Sequence, residues 1–267
     1  MKIGALIPIR LSSERLPSKA LMDLCGRPVF AHLLDRVVAC KHIKSPKDVV
    51  VCTTRDPSDD ALEKAVCAYG ASIFRGSTDD IIDRFGAAMA QFDFDVVVQA
   101  DGDDPLSATE YMDLTVDKLL ATPGTDIVTV QGLPLGIATK SFTRMAMERV
   151  LSYYKTKKND TGFIYFFTKT GLCKHVEVLP ISPDHIIDRA RLTLDYEVDL
   201  ALFRNIFKAL YEPGRLFTLT ELVRYLRQNP DQVKSNLSVE EEYCRRTAKK
   251  AVLEFTQRNG KTKIVPV

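Results

Sequence analysis

The amino-acid sequence predicts an α/β protein built on one doubly wound, mostly parallel sheet. Three observations carry that prediction. Short apolar stretches alternate with amphipathic stretches of helical period from residue 2 to about residue 132. The apolar stretches KIGALIPI, DVVVCTT and DVVVQADG show no polar alternation, as strands buried on both faces do. Clusters of charge fall immediately after those stretches, where an open parallel sheet binds its ligands.

Each element follows from local pattern. Residues 2–9 read as a first buried strand. Residues 28–43 place Phe30, Leu33, Leu34, Val37 and Val38 on one helical face, with Pro28 suited to the first turn. Residues 48–54 form a strand, and a helix from Asp59 to Tyr69 ends at Gly70. ASIFR (71–75) is a third strand, followed by a helix to about Phe92 capped by Ser77 or Thr78. Residues 95–102, 109–121 and 126–132 read as strand, helix and strand. After residue 140 the rhythm changes. A helix over 141–152 precedes strands at 162–169, 176–181 and 190–195, some of them antiparallel. Helices follow at 197–210, 220–228 and about 239–258, the last with Glu240–Glu242 at its start and basic residues further along. The predicted organisation is a domain over 1–212, with an excursion at about 130–185, and a helical C-terminal extension over 213–267.

Composition narrows the function. A chain of 267 residues buries an ample core without metal or disulfide staples. Basic and acidic residues number 37 and 35, a balance of 37 − 35 = +2, which argues against nucleic-acid binding by bulk charge. No apolar run approaches the ~18–20 residues of a membrane span, and the N-terminus reads as a strand rather than a signal peptide. The six cysteines show no C-x-x-C spacing. They predict reduced, mostly buried thiols of a cytoplasmic protein, not a zinc site or disulfide framework.

The chemistry is expected at the strand ends. Arg10, Arg15 and Lys19 lie in ten residues after the first strand, on a loop stiffened by Pro17. The loop lacks the glycines and GK[ST] ending of a P-loop, so its side chains, not a backbone cradle, would meet a polyphosphate. A solvated basic loop is the alternative. Asp101, Asp103 and Asp104 crowd the end of the fourth strand around Gly102. Hard carboxylate oxygens there suit Mg²⁺, the alternative being an acidic turn ahead of a helix. Asp195 follows another strand as a second metal ligand, whereas Asp199 reads as a helix cap. Arg75, Gly76 and Ser77 form a strand–glycine–helix start suited to a nucleoside. The four histidines have neither metal spacing nor a nucleophile partner.

Taken in order, these segments resemble a known family. Arg10…Arg15-Leu16-Pro17-Ser18-Lys19 with Leu24-Cys25-Gly26-Arg27-Pro28 is similar to the x-R-x₄-R-L-P-x-K…L-x-G-x-P signature of sugar-activating nucleotidyltransferases. The nearest resemblance is to cytidylyltransferases that make CMP-activated acidic sugars and to the SpsF-like spore-coat polysaccharide proteins. Phe74–Ser77 through Asp83-Arg84-Phe85, Gly102–Leu106, and Leu192–Asp195 to Asp199-Leu200 match further segments of that group. The resemblance implies a Rossmann-like, GT-A-type fold. It also implies attack of a small acidic sugar or phosphorylated acceptor on the α-phosphorus of CTP, with Mg²⁺. It casts Arg10, Arg15 and Lys19 as catalytic and Asp103 and Asp195 as metal ligands. Leu6, Pro8, Arg75, Gly76, Ser77, Gln99 and Asp101 fall to the nucleotide. Relatives that make CMP-sugars are commonly homodimers. In this chain the run Phe163–Phe167, as an exposed edge strand, is the expected contact, with Lys155, Lys157 or Lys158 offered to the partner's acceptor pocket. Two departures stand out. Asp101 adds an acid before Gly102, and Asn159-Asp160-Thr161 replaces an E-H-V-T segment.

Two other readings compete. Asp101-Gly102-Asp103 also fits the D-x-D motif of a glycosyltransferase, which has no need of the Arg10–Lys19 loop. A catalytically silent nucleotide-binding protein would have no need of Lys19, Asp103 and Asp195 together.

Overall fold

The computed structural model describes residues 1–155, 162–250, 252–257 and 260–266. Its first half contains β1 (Ile3–Pro8), the short pair β2 (Asp23–Leu24) and β3 (Arg27–Pro28), α1 (Val29–Val38), β4 (Val49–Thr54), α2 (Asp60–Tyr69), β5 (Ser72–Gly76), α3 (Ile81–Phe92), β6 (Val96–Gln99), α4 (Thr109–Ala121) and β7 (Ile127–Val130). The second half contains β8 (Lys140–Thr143), α5 (Arg144–Tyr153), α6 (Ile164–Thr168), β9 (His175–Val178), α7 (Glu197–Leu210), α8 (Leu219–Gln228), α9 (Pro230–Lys234), α10 (Glu240–Lys250), β10 (Val252–Thr256) and β11 (Thr262–Pro266).

The main sheet has the order β5-β4-β1-β6-β8-β7-β9. β1 pairs in parallel with β4 and β6, and β4 with β5. β8 runs antiparallel to both β6 and β7, and β9 rejoins β7 in parallel. The chain therefore winds from β1 out to β5, then returns to β6 on the other side of β1. The carboxyl ends of β1 and β6 form the switch point where doubly wound sheets open a crevice.

Period-2 alternation divides the core. Ala5 and Ile7 face α1 and α2, packing with Phe30, Leu34, Leu62 and Val66. Leu6 faces the other way, among Phe85, Met89, Phe142, Phe166 and Phe167. Each fully buried Val, Leu, Ile, Phe or Met side chain among them contributes about 1.5–3 kcal/mol by leaving water. A third cluster seats α7 and α8 on Leu192 and Leu194 through Phe203, Phe207, Leu222 and Leu226. Among the described residues no helix is long and apolar enough to cross a membrane.

Several expectations are corrected. The GFIYFFTK run is not a strand. Its residues Ile164–Thr168 form α6, and Phe163, Phe166 and Phe167 are buried against Phe85 and Phe142. Bulky aromatics gave it β character, but the sheet already ends at β9, so the segment caps the hydrophobic face as a helical turn. The exposed aromatic edge that motivated a homodimer contact is thus covered within the chain. Lys157, Lys158 and Asn159-Asp160-Thr161 lie outside the described residues. The expected 190–195 strand is an extended segment with a single bridge, Leu135 to Arg191. The expected 239–258 helix stops at Lys250, and an antiparallel hairpin of β10 and β11 follows. Leu253 and Phe255 bury the hairpin in the cluster around Phe85, so period-2 burial overrides the helical reading. The extension is therefore helical and then β-stranded. Asp80, not Ser77 or Thr78, caps α3, accepting from the N–H of Ile82 and Asp83 at 2.9 and 3.1 Å. The thiols are expected to be mostly buried, but only Cys40 and Cys52 are, whereas Cys25, Cys67 and Cys244 are exposed.

Candidate active site

The loop after β1 is set by buried backbone partners. Asp59, fully buried, accepts the Leu11 N–H at 2.7 Å on one oxygen. Its other oxygen takes the Thr54 N–H at 3.2 Å and the Thr54 hydroxyl at 2.5 Å. The Ser18 N–H then closes the loop on the Leu11 carbonyl at 3.0 Å, with Ser18 itself in the left-handed region. This delivers Lys19 to the switch point.

There three segments meet. Lys19 donates to Asp103 Oδ2 at 2.9 Å, to Asp195 Oδ1 at 2.9 Å and to the Leu194 carbonyl at 2.7 Å. Arg15 donates to the same Asp195 oxygen at 2.5 Å. The Leu194 N–H donates to the Asp103 carbonyl at 2.8 Å, tying both carboxylate segments together. Gly102 must be glycine for this convergence, because a Cβ there would lie 2.2 Å from the Pro8 carbonyl oxygen. Gly136, at φ +90, allows the 191–194 segment to pass, since its Cβ would meet the Leu192 carbonyl oxygen at 2.0 Å.

Charge is balanced pair by pair. Burial works to raise Asp195, but Lys19 and Arg15 outweigh it and hold the carboxyl below its usual range. Burial pushes Asp103 up against the pull of Lys19, and the negative fields of Asp195 and Asp101 add to the rise. Burial opposes the charge on Lys19, yet Asp103 and Asp195 overcome it and the ammonium is raised. Asp104 is driven well up by burial and by Asp103 and Asp101, and its Oδ1 has no hydrogen-bond partner. Asp101 is held low, burial being outweighed by Lys140, which donates to it at 2.8 Å.

The cleft over this cluster has a volume of about 380 Å³. Its wall includes Pro8, Arg10, Arg15, Lys19, Asp101, Asp103 and Asp195, so these sequence-derived candidates share one cavity. The other candidates sit elsewhere. Leu6 is buried in the sheet on the α3 side. Gln99 is fully buried and donates to Asp101 Oδ1 at 2.9 Å, acting through that aspartate. Arg75 turns away from the cleft, pairing with Asp60 at 2.6 Å and Glu63 at 2.9 Å. Alternation along β5 sends it to the α2 side. Gly76 and Ser77 are absent from the cleft wall. The Ser77 carbonyl instead accepts from Arg84 at 2.8 Å, and Arg84 does line the cleft. Asp199 caps α7 as expected, accepting the N–H of Asp195 and Tyr196 at 2.9 Å each, and also binds buried Arg191 at 3.2 Å.

Sequence reasoning missed Lys140, Arg191, Tyr243 and Arg246. Lys140 begins β8 and its sheet register with Gln99 brings it to the cluster. Nothing in its local sequence signals that register. Arg191 offered one cue, an arginine four residues before Asp195 and eight before Asp199.

A cytidylyltransferase family model matches residues 4–191. The chain belongs to the cytidylyltransferase family. It is accordingly a nucleotidyltransferase enzyme with a Rossmann-like fold. An uncharacterized protein of Methanocaldococcus jannaschii is 30% identical over 92% of this chain and 98% of its own. The spore coat polysaccharide biosynthesis protein SpsF of Bacillus subtilis is 24% identical over 85% of this chain and 94% of its own. A 3-deoxy-manno-octulosonate cytidylyltransferase of Geobacter metallireducens is 26% identical over 72% and 79% respectively. A solved cytidylyltransferase from Leptospira borgpetersenii superposes with a TM-score of 0.77 at 26% identity, covering 87% of this chain and 97% of that one. The CMP:2-keto-3-deoxy-manno-octonic acid synthetase solved with CTP shares the fold, with a TM-score of 0.59 at 16% identity.

Proposed function

We propose that this cytidylyltransferase uses CTP, and that a small acidic sugar or phosphorylated acceptor attacks its α-phosphorus. The acceptor oxygen forms a bond to that phosphorus, the α–β bridging bond breaks, and pyrophosphate leaves. The observation that carries the reading is the convergence of Asp103 and Asp195 on Lys19, beside Arg15, in a cleft at the sheet's switch point.

No protein nucleophile is required, because positioning and electrostatics suffice for phosphoryl-type transfer. Lys19 is a compact charge suited to the non-bridging oxygens of the leaving pyrophosphate. Arg15 can present its planar fork to a phosphate. Asp103 and Asp195 are the residues that would hold Mg²⁺, and their hard oxygens already converge on one cation, the Lys19 ammonium. Among the described residues no group of three or more His, Cys, Asp or Glu forms a complete metal cage. Two carboxylates completed by substrate phosphates is a familiar arrangement for Mg²⁺. When bound, the ion supplies neutralisation of charge on the departing phosphates. Gln99 fixes Asp101, and Lys140 keeps it ionised, so Asp101 serves as a positioned hydrogen-bond acceptor.

A D-x-D glycosyltransferase reading is disfavoured by the Lys19 contacts, which tie the cationic loop into the carboxylate cluster. Thermal shift with CTP, UTP, GTP and ATP plus Mg²⁺ tests the nucleotide, since a ligand of the native state raises stability. CTP should give the largest shift. A larger shift with UTP, GTP or ATP would overturn the proposal.

A further inference from the structure

The chain beyond α8 is anchored to the cleft at three points. Asn236, fully buried, donates to the Arg191 carbonyl at 3.0 Å and to Asp199 Oδ1 at 2.7 Å. The Tyr243 ring lies 4.3 Å from the Arg191 guanidinium carbon. Arg246 donates to Glu14 at 2.5 Å and approaches Glu242 to 3.5 Å. Tyr243 and Arg246 both line the cleft, as does Glu14 on the cationic loop. None of Asn236, Tyr243 and Arg246 falls within residues 4–191, the span matched by the family model.

Arg246 differs from four other cations of the wall, one of which, Arg84, donates to the Ser77, Cys52 and Thr78 carbonyls. Lys19, Arg15 and Lys140 are each engaged by Asp195, Asp103 or Asp101. Arg246 pairs instead with Glu14, whose side chain is 71% exposed. An exposed pair of this kind contributes only about 0–1 kcal/mol, so an incoming oxyanion can replace the Glu14 carboxylate at little cost. The loop cations already answer the triphosphate. The additional guanidinium therefore answers a second anion.

We propose that Arg246, carried by the segment that Tyr243 and Asn236 anchor to Arg191, is the specificity-determining residue for the acceptor. It binds the acceptor's oxyanion group, a carboxylate or a phosphate, and Glu14 occupies Arg246 until the acceptor arrives. This rests on the cytidylyltransferase reading. The shared chemistry is a planar donor fork facing two oxyanion oxygens.

The test is calorimetry on the full chain loaded with Mg²⁺ and an α,β-methylene analogue of CTP. The probes are 3-deoxy-manno-octulosonate for a carboxylate and inorganic phosphate for a phosphate. Wild type, Arg246→Gln and Glu14→Gln are compared, with melting temperature as the folding control. Arg246→Gln should weaken the bound probe by about tenfold or more, while affinity for the analogue stays within about twofold. Glu14→Gln should tighten the same probe by about threefold or more, an effect no merely structural role for Arg246 would give. Whichever probe responds identifies the anion. Unchanged probe affinity in Arg246→Gln, or no binding of either probe to wild type and Glu14→Gln, overturns the proposal. If the nucleotide analogue itself fails to bind, the cytidylyltransferase reading is what fails. Titration of the probes alone then decides whether an Arg246-dependent anion site stands without it.

Discussion

Two sets of charges stand at the ends of parallel strands in this molecule, and they behave differently. At β1 and β6, Lys19 meets Asp103 and Asp195, partners 84 and 176 residues away. The Asp195 side chain is 1% exposed and that of Lys19 12%. At β5, Arg75 meets Asp60 and Glu63, only 15 and 12 residues away, which are 56% and 40% exposed. Both sets pair a cation with two carboxylates, and Arg75 is expected at the site from the sequence, as Lys19, Asp103 and Asp195 are. The first gathers distant segments around the buried Asp195 and the mostly buried Lys19, with Asp103 31% exposed at the cleft, and a buried charge keeps its strength. The second is a solvent-screened surface staple worth little. Burial and sequence separation, not residue type, distinguish the candidate site from the surface pair.

Breaking the first set should cost most. Asp103→Asn removes a carboxylate charge that no neighbour replaces, while the amide keeps the shape. Metal-dependent pyrophosphate release should fall by more than roughly 10³, with circular dichroism unchanged. Near-normal turnover would move the metal to Asp101. Lys19→Met should lower turnover by roughly 10²–10³ with a smaller effect on melting temperature. Wild-type kinetics with a lowered melting temperature would make Lys19 structural.

Effects outside the cleft should be smaller. Glu221 accepts from the Thr218 N–H at 2.7 Å and pairs with Arg215 at 2.8 Å, closing a capping box on α8. Those contacts hold its carboxyl down at about 2. A depressed carboxyl stabilises the fold above its unfolded value, near 4.5, and loses that contribution as pH falls towards 2. Glu221→Gln should therefore cost roughly 0.5–2 kcal/mol at neutral pH. The gap in melting temperature from wild type should narrow below about pH 4.5. A gap independent of pH would show that the charge is not what matters. Arg75→Gln, which breaks the second set, should change stability by no more than about 1 kcal/mol and leave turnover alone. A large loss of turnover would erase the contrast between the two sets.

The sequence shows the first half of the fold and helices α7 and α8 well, and the segments over about 131–195 and beyond 239 poorly, for a physical reason. Strands β1, β4 and β6 are buried on both faces, so their identity is written in consecutive apolar residues. Beyond residue 130 the chain first completes the sheet with the antiparallel β8 and the edge strand β9, and its other segments fill the gaps around that sheet. Phe163–Phe167 and Val252–Thr256 take their conformations from the aromatic cluster they cover, which local pattern does not encode. The site divides in the same way. Arg15, Lys19, Asp103 and Asp195 were readable because strand ends predict where ligands bind. Lys140 depends on an antiparallel register, and Arg246 on how the C-terminal segment packs.

The most direct test follows the label from CTP carrying ³²P at either the α or the γ position, with Mg²⁺ and 3-deoxy-manno-octulosonate as acceptor. The account predicts that α-label moves to the acceptor, γ-label leaves as pyrophosphate, and both stop in Asp103→Asn. Transfer of γ-label to the acceptor, or α-transfer at the wild-type rate in Asp103→Asn, would contradict it.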